Sequence, residues 1–107
     1  MARIALLCPD LLFGSKVQGA LRAAGHEVVA ADAPADLLVV DLTTDVEERL
    51  DAVREARAPT LGFYSHVEQD VRRRAEEAGI ARVVPRSRMA REGPALVERL
   101  LADADAR

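Results

Sequence analysis

The chain has 107 residues, of which 50% are hydrophobic and 31% are charged, as expected for one globular domain spanning residues 1–107. Its net charge of −3 does not indicate binding to nucleic acid or to a membrane, and we expect neither. The single cysteine excludes an internal disulfide, which favours a cytoplasmic location.

Short apolar runs predict the strands. Aromatic residues make up only 3% of the chain, so the core must be aliphatic, and continuous aliphatic runs are typical of parallel strands buried on both faces. The runs are residues 4–7, 28–31, 37–40 (followed by Asp41) and 60–64, and a weaker fifth run covers residues 82–84.

Apolar residues with helical spacing lie between most of these runs. A glycine follows the first and the third helical stripe as a stop signal. Thr44 and Glu47 have the spacing of a capping box, as do Ser65 and Glu68, and Pro94 is well placed near the first turn of the last helix. The four stripes cover residues 17–24, 46–53, 67–78 and 97–101.

The connection between the second and third predicted strands is unusually short. Only residues 32–36 lie between them, whereas a parallel connection normally takes a dozen or more residues, usually with a helix. Either the usual helix is cut to a tight loop, or the second strand is irregular or runs differently. The order of elements predicts a doubly wound α/β fold in which helices cover both faces of the sheet and the second helix is shortened or absent.

Chemically versatile side chains follow several of the predicted strands. In open α/β sheets the functional crevice lies beyond the carboxyl ends of the strands, so we expect these side chains to meet at one edge of the sheet. They are Cys8, Pro9 and Asp10 after the first strand, Asp41 after the third, Ser65 and His66 after the fourth, and Arg86, Ser87 and Arg88 after the fifth.

This layout resembles the receiver domain of bacterial response regulators, the CheY-like, flavodoxin-like proteins of two-component phosphorelays. Residues 36–42 are similar to the strand that carries the phosphorylated aspartate in that family, which makes Asp41 the equivalent of the phosphoacceptor. Residues 79–86 have the family's spacing from a glycine to its lysine, whose place Arg86 takes. The resemblance implies five parallel strands in the order 2-1-3-4-5 and a cytoplasmic signalling protein.

Several positions depart from the family's pattern. The acidic pair that binds Mg²⁺ in receivers falls on Cys8 and Pro9, and Mg²⁺ prefers carboxylate and other hard oxygen ligands. Asp10 and Asp41 are the most that could hold a metal, so we expect no cofactor. The family's switch hydroxyl falls on Tyr64, one position before Ser65. The chain therefore resembles a degenerate pseudo-receiver that is not phosphorylated in the standard Mg²⁺-dependent way.

Asp41 admits two interpretations. It is either a phosphoacceptor or anion-dependent switch, supported by Asp10, Ser65 and Arg86, or a carboxylate that caps nearby N–H groups and pairs permanently with Arg86. The missing ligands favour the second interpretation, and an arginine suits a fixed ion pair with a carboxylate better than a lysine does.

Two segments could contact a partner. The apolar residues 11–14, expected in a loop, either cover the core as a hydrophobic staple or expose a contact patch that includes Phe13. The arginine-rich segment 72–91 is either a solvated face or a basic interaction face. Its candidate contact residues are Arg72, Arg73, Arg82 and Arg88.

The sequence leaves three functions open. The favoured one is a stand-alone signalling module that binds a protein partner or dimerises through its last helices. The second is a degenerate but functional phosphoacceptor that uses Asp41. The third, a small-anion or nucleotide binder or an enzyme, would use a crevice formed by Ser65, His66, Arg86 and Arg88.

Overall fold

The computed structural model describes residues 2–65 and 69–105. Its strands form one parallel sheet in the order β2-β1-β3-β4-β5, which confirms the predicted fold. The strands are β1 (Arg3–Leu7), β2 (Glu27–Val29), β3 (Leu37–Asp41), β4 (Thr60–Tyr64) and β5 (Arg82–Pro85), and the helices are α1 (Leu11–Ala23), α2 (Val46–Glu55), α3 (Gln69–Glu77) and α4 (Arg86–Asp105).

The alternation of side chains along the strands divides the core into two clusters. On one face of the sheet, Val39 and Phe63 pack with apolar side chains of α1 and α4. On the other face, Val40 and Tyr64 pack with apolar side chains of α2 and α3. Every residue of β3 and β4 is buried, as the continuous apolar runs predicted.

The short crossover between β2 and β3 contains no helix among the described residues 30–36, in agreement with the sequence. A turn closes it, in which the N–H of Ala33 donates to the carbonyl of Ala30 at 3.0 Å. Asp36 fastens its end to β1, because the Asp36 N–H donates to the Arg3 carbonyl and the Arg3 N–H donates to the Asp36 carboxylate, each at 2.8 Å.

The apolar run 11–14, which the sequence predicts to be a loop, is the first turn of α1. Asp10 is the N-cap of α1, and its carboxylate accepts from the N–H of Phe13 at 3.0 Å. Helical geometry then turns Phe13 into the core, where its side chain is 8% exposed, and leaves Leu11 and Leu12 84% and 87% exposed. The candidate contact residue Phe13 is therefore a core residue, and its two neighbours carry the exposed apolar surface.

Two further helix starts differ from the predictions. Helix α4 begins at Arg86, directly after β5, so Pro94 lies inside the helix and not near its first turn. Helix α2 has Asp45 as its N-cap residue, in the left-handed conformation (φ 49°) and without a side-chain cap bond, in place of the expected capping box at Thr44. The second predicted capping box, at Ser65 and Glu68, lies partly outside the described residues.

The glycine stop signals are confirmed. Gly25 and Gly79 follow α1 and α3 with φ of 94° and 96°, a conformation that residues with a Cβ rarely adopt. In the part of the chain that the structure describes, no helix is long and apolar enough to span a membrane.

Candidate functional site

A cleft of about 800 Å³ opens at the carboxyl edge of the sheet. It lies above the ends of β1, β3, β4 and β5, where the sequence places its polar side chains. The structure thus brings Asp10, Asp41, Ser65 and Arg86 together, as predicted. The lining residues are Pro9, Asp10, Phe13, Asp41, Thr43, Thr44, Ser65, Arg86, Ser87 and Ala90.

Asp41 is buried at the floor of this cleft, and its carboxylate is held by its own chain. The oxygen Oδ1 accepts from the N–H of Thr43 at 2.8 Å and from the Thr43 hydroxyl at 2.6 Å. The oxygen Oδ2 accepts from the thiol of Cys8 at 3.6 Å. Sequence reasoning missed the role of Thr43, although an Asp two residues before a Thr favours a local bond of this kind.

Arg86 pairs with Asp10 and not with Asp41, so the predicted Asp41–Arg86 ion pair is wrong. Its Nη2 donates to Asp10 Oδ2 at 3.0 Å, and its guanidinium carbon lies 4.3 Å from the centroid of the Phe13 ring. Asp10 thus offers the guanidinium a carboxylate next to an aromatic face that attracts cations. The Asp41 carboxylate accepts from Thr43 and Cys8 instead.

The two aromatic rings under Arg86 connect this pair to the core. The centroid of the Phe13 ring lies 5.0 Å from that of Phe63, at an interplanar angle of 50°, which is a favourable tilted arrangement. Phe63 is in register with Asp41 across β3 and β4. The position of the Arg86 side chain therefore depends on the packing of Phe13 against Phe63.

The charges in the cleft alter two pKa values in opposite directions. The N–H of Phe13 and then the positive charge of Arg86 hold the pKa of Asp10 below its usual 3.8. Burial, and then the negative charge of Asp41, raise the pKa of the Cys8 thiol from 9.0 to about 11. At neutral pH Cys8 is consequently a protonated thiol that donates toward Asp41.

The side chains that could serve as metal ligands in this cleft do not suit Mg²⁺. That ion requires octahedral coordination by hard oxygen atoms, but Pro9 has no ligating side chain, the Cys8 side chain is a protonated thiol, and Asp10 is paired with the cation Arg86. Within residues 2–65 and 69–105, no three His, Cys, Asp or Glu side chains come together as a metal site.

The remaining candidate residues of the crevice take different positions. Ser65 lines the cleft, whereas Tyr64 is buried in the core on the other face of the sheet from α1. Arg88 does not line the cleft and pairs with Glu92 one turn along α4, at 3.3 Å. His66 lies outside the described residues.

Acidic side chains accompany most arginines of the proposed basic face. On α3, Arg72 lies 4.0 Å from Glu76 and Arg73 lies 2.5 Å from Asp70. Arg82 is half-buried in β5. This surface therefore carries charges of both signs, and exposed pairs of this kind contribute little to stability, so they can exchange partners at low cost.

We expect Asp10→Ala to destabilise the domain more than Asp10→Asn does. Alanine removes both the N-cap acceptor of α1 and the partner of Arg86, whereas asparagine keeps a capping oxygen and loses only the charge. Since the pKa of Asp10 is lowered below 3.8 on folding, its contribution is present above that pH and is lost as the pH falls through the lowered value. Urea unfolding of the variants at neutral and acid pH measures both effects.

The control for this prediction is a double-mutant cycle with Arg86→Ala. If Asp10 and Arg86 interact as described, the double variant loses less stability than the sum of Asp10→Asn and Arg86→Ala. Strict additivity of the two losses would contradict the ion pair.

Comparison with known proteins places this geometry in a familiar fold. No protein-family model matches the sequence, and no curated protein matches it. Solved structures do match. NtrX from Brucella abortus superposes with a TM-score of 0.86 and 18% identity over 98% of this chain, which spans only 28% of the length of NtrX.

Two further solved structures match over nearly their full length. A response regulator from Thermotoga maritima has a TM-score of 0.75 and 18% identity, with 94% of this chain and 97% of that chain covered. The non-phosphorylated HemR receiver domain from Leptospira biflexa has a TM-score of 0.76 and 22% identity, with 94% of each chain covered. At these identities the likeness concerns the fold, and the chain has the fold of a response-regulator receiver domain.

Proposed function

We propose that this chain is a signalling module that acts by contact with a protein partner and whose Asp41 is not phosphorylated in the Mg²⁺-dependent way. The observation that carries the proposal is the state of the two cleft carboxylates. Asp41 is held by Thr43 and Cys8, and Asp10 is held by Phe13 and Arg86. Both acids are therefore committed to the chain's own groups.

Phosphoryl transfer makes demands that this arrangement does not meet. The transferred group carries negative charge that metal ions and cations normally neutralise. Here the donors do not fit Mg²⁺, and the cation Arg86 is bound to Asp10 at 3.0 Å. A thiol 3.6 Å from Asp41 Oδ2 occupies the place where a metal ligand would be needed.

Protein contact is supported by the exposed apolar surface beside the cleft. Leu11 and Leu12 project from the first turn of α1, directly after the N-cap Asp10. Two large apolar side chains exposed on neighbouring residues are a candidate contact surface. The mixed-charge surface of α3 and α4, with Arg72, Arg73 and Arg88, is the proposed second part of this interaction face.

A functional phosphoacceptor is the second candidate. In its favour, Asp41, Asp10, Ser65 and Arg86 line one cleft, which is the set of side chains that the resemblance to receivers assigns to that chemistry. It would require Arg86 and Asp10 to separate before the phosphoryl group arrives.

The experiment that separates the two candidates is incubation with acetyl phosphate and Mg²⁺, followed by measurement of the intact mass. We expect no phosphoryl adduct on the wild-type chain. An adduct that forms on the wild type and is lost in Asp41→Asn would overturn the proposal in favour of the phosphoacceptor.

A second arm tests the contact surface. Proteins retained by the wild-type chain should be lost from a Leu11→Glu/Leu12→Glu variant and kept by a Ser15→Glu/Lys16→Glu variant, because positions 15 and 16 are exposed on the same helix. Equal retention by both variants would exclude the leucine pair as the contact site.

A further inference from the structure

The missing crossover helix leaves a groove on the face of the sheet opposite α1 and α4. The groove has a volume of about 750 Å³ and lies between residues 31–35 and helix α2. Its floor is formed by Ala5, Leu7 and Leu38 of the sheet, and one wall by Ala52 of α2 and the C-cap residue Ala56. With so few large side chains, the backbone of an occupant could approach the sheet closely.

A buried arginine without a full set of partners lines this groove. The Arg49 side chain is 10% exposed, and its Nε has no hydrogen-bond acceptor among the described residues. Its terminal nitrogens lie 3.9 Å from Asp45 and 3.7 Å from Glu48, which is too far for hydrogen bonds. The guanidinium therefore has no acceptor at hydrogen-bond distance among the described residues, and a carboxylate inside the groove would supply one to its terminal nitrogens.

Charges around the groove are arranged with opposite signs at the centre and the rim. Arg49 is the buried charge, whereas Asp32, Glu48 and Glu55 are exposed at the edge, together with a single exposed arginine, Arg57. An occupant that complements this pattern has one carboxylate at its centre and basic residues along its sides.

We propose that the groove binds an α-helix of a partner protein whose apolar face has small side chains, a central Asp or Glu that pairs with Arg49, and Lys or Arg at its flanks. A right-handed crossover from β2 to β3 would place its helix on this face of the sheet, so a helix from another protein takes the position that the short connection leaves open. The inference rests on the proposed function only in taking a protein as the occupant, and it is independent of the state of Asp41.

The test uses a hydrocarbon-stapled helical peptide of about 16 residues, a length at which an unstapled helix is marginal, with alanines on one face, one central Glu and flanking lysines. NMR titration of the full chain should shift the amides of Ala5, Leu38 and Ala52 and the side-chain N–H of Arg49. A peptide with Gln in place of Glu should bind at least about ten-fold more weakly.

Protein variants provide the matched controls. Arg49→Met should erase the difference between the Glu and Gln peptides. Arg54→Met should preserve it, because Arg54 is exposed on the same helix and bonded to Asp51 at 2.8 Å. Circular dichroism confirms that both variants are folded.

Four outcomes would overturn the inference. They are the absence of binding, equal binding of the two peptides, shifts confined to other surfaces, and full reproduction of the shifts by octanoate, which would make the groove a small-carboxylate site. Sedimentation and NMR spectra without peptide test a second copy of the chain as the occupant, and self-association together with concentration-dependent shifts of the groove resonances would also count against a partner helix. Phosphorylation of Asp41 in the earlier experiment would refute the proposed function and leave these results unaffected.

Discussion

Replacing Phe63 by alanine should lower the free energy of unfolding by about 3 to 5 kcal/mol, the usual cost of truncating a buried phenylalanine. Phe63 is fully buried, and the chain has only two phenylalanines and one tyrosine, so no other large ring can fill the cavity. Small domains have a total stability of roughly 5 to 15 kcal/mol, which makes this loss a large part of the whole. Urea unfolding monitored by circular dichroism measures it.

The same substitution should disturb the cleft. Phe63 supports the Phe13 ring at a centroid distance of 5.0 Å, and Phe13 supports Arg86, so the Arg86–Asp10 bond should loosen in Phe63→Ala. The matched control is Phe63→Leu, which keeps most of the volume and should cost less than about 1.5 kcal/mol. Equal losses for the two variants would contradict the cavity argument.

The fold was readable from the sequence because each buried strand is a short, mostly apolar run. Residues 37–40 and 60–64 are continuous runs of the kind that predicts buried parallel strands, and the interval at residues 32–36 is too short for a full helix. Both features concern local composition and chain length. The ends of the predicted strands agree with the structure to within two residues.

The starts of two helices were harder to predict, because nearby residues suggested a different starting point from the true one. Residues 86–93 have little apolar periodicity apart from Met89, so the sequence places Pro94 near the start of the last helix, although α4 starts at Arg86. Similarly, Leu11 and Leu12 interrupt the polar pattern of a loop, while the true signal was Asp10, an N-cap acceptor three residues before Phe13.

The partner of Arg86 could not be deduced from the sequence at all. Asp10 and Asp41 both lie at the same edge of the sheet, and the order of strands gives no reason to prefer one of them. The choice depends on side-chain geometry. The Thr43 hydroxyl donates to the Asp41 carboxylate, whereas the Phe13 ring lies under the Arg86 guanidinium beside Asp10. Such contacts appear only once the first turn of α1 is placed in three dimensions.

Introducing a carboxylate at position 8 should make the stability of the domain depend on Mg²⁺. In Cys8→Asp, the new carboxylate replaces a thiol that lies 3.6 Å from Asp41 Oδ2, so two like charges share one buried site and the pKa of one of them rises. Without metal, this variant should be more stable at acid pH and lose that stability as the pH rises through the raised pKa.

Mg²⁺ should reverse this loss, because two adjacent carboxylates supply the hard oxygen ligands that the wild-type cleft lacks. At a free Mg²⁺ concentration about 100 times the Kd, binding to the native state alone adds about 2.7 kcal/mol, which corresponds to a rise in Tm of roughly 10 to 20 °C for a domain of this size. Differential scanning calorimetry with and without Mg²⁺ measures the shift.

Cys8→Ser, which adds no charge, should show no shift, and neither should the wild type. A Cys8→Asp variant whose Tm is the same with and without Mg²⁺ would show that the residue at position 8 does not decide whether this cleft binds the metal.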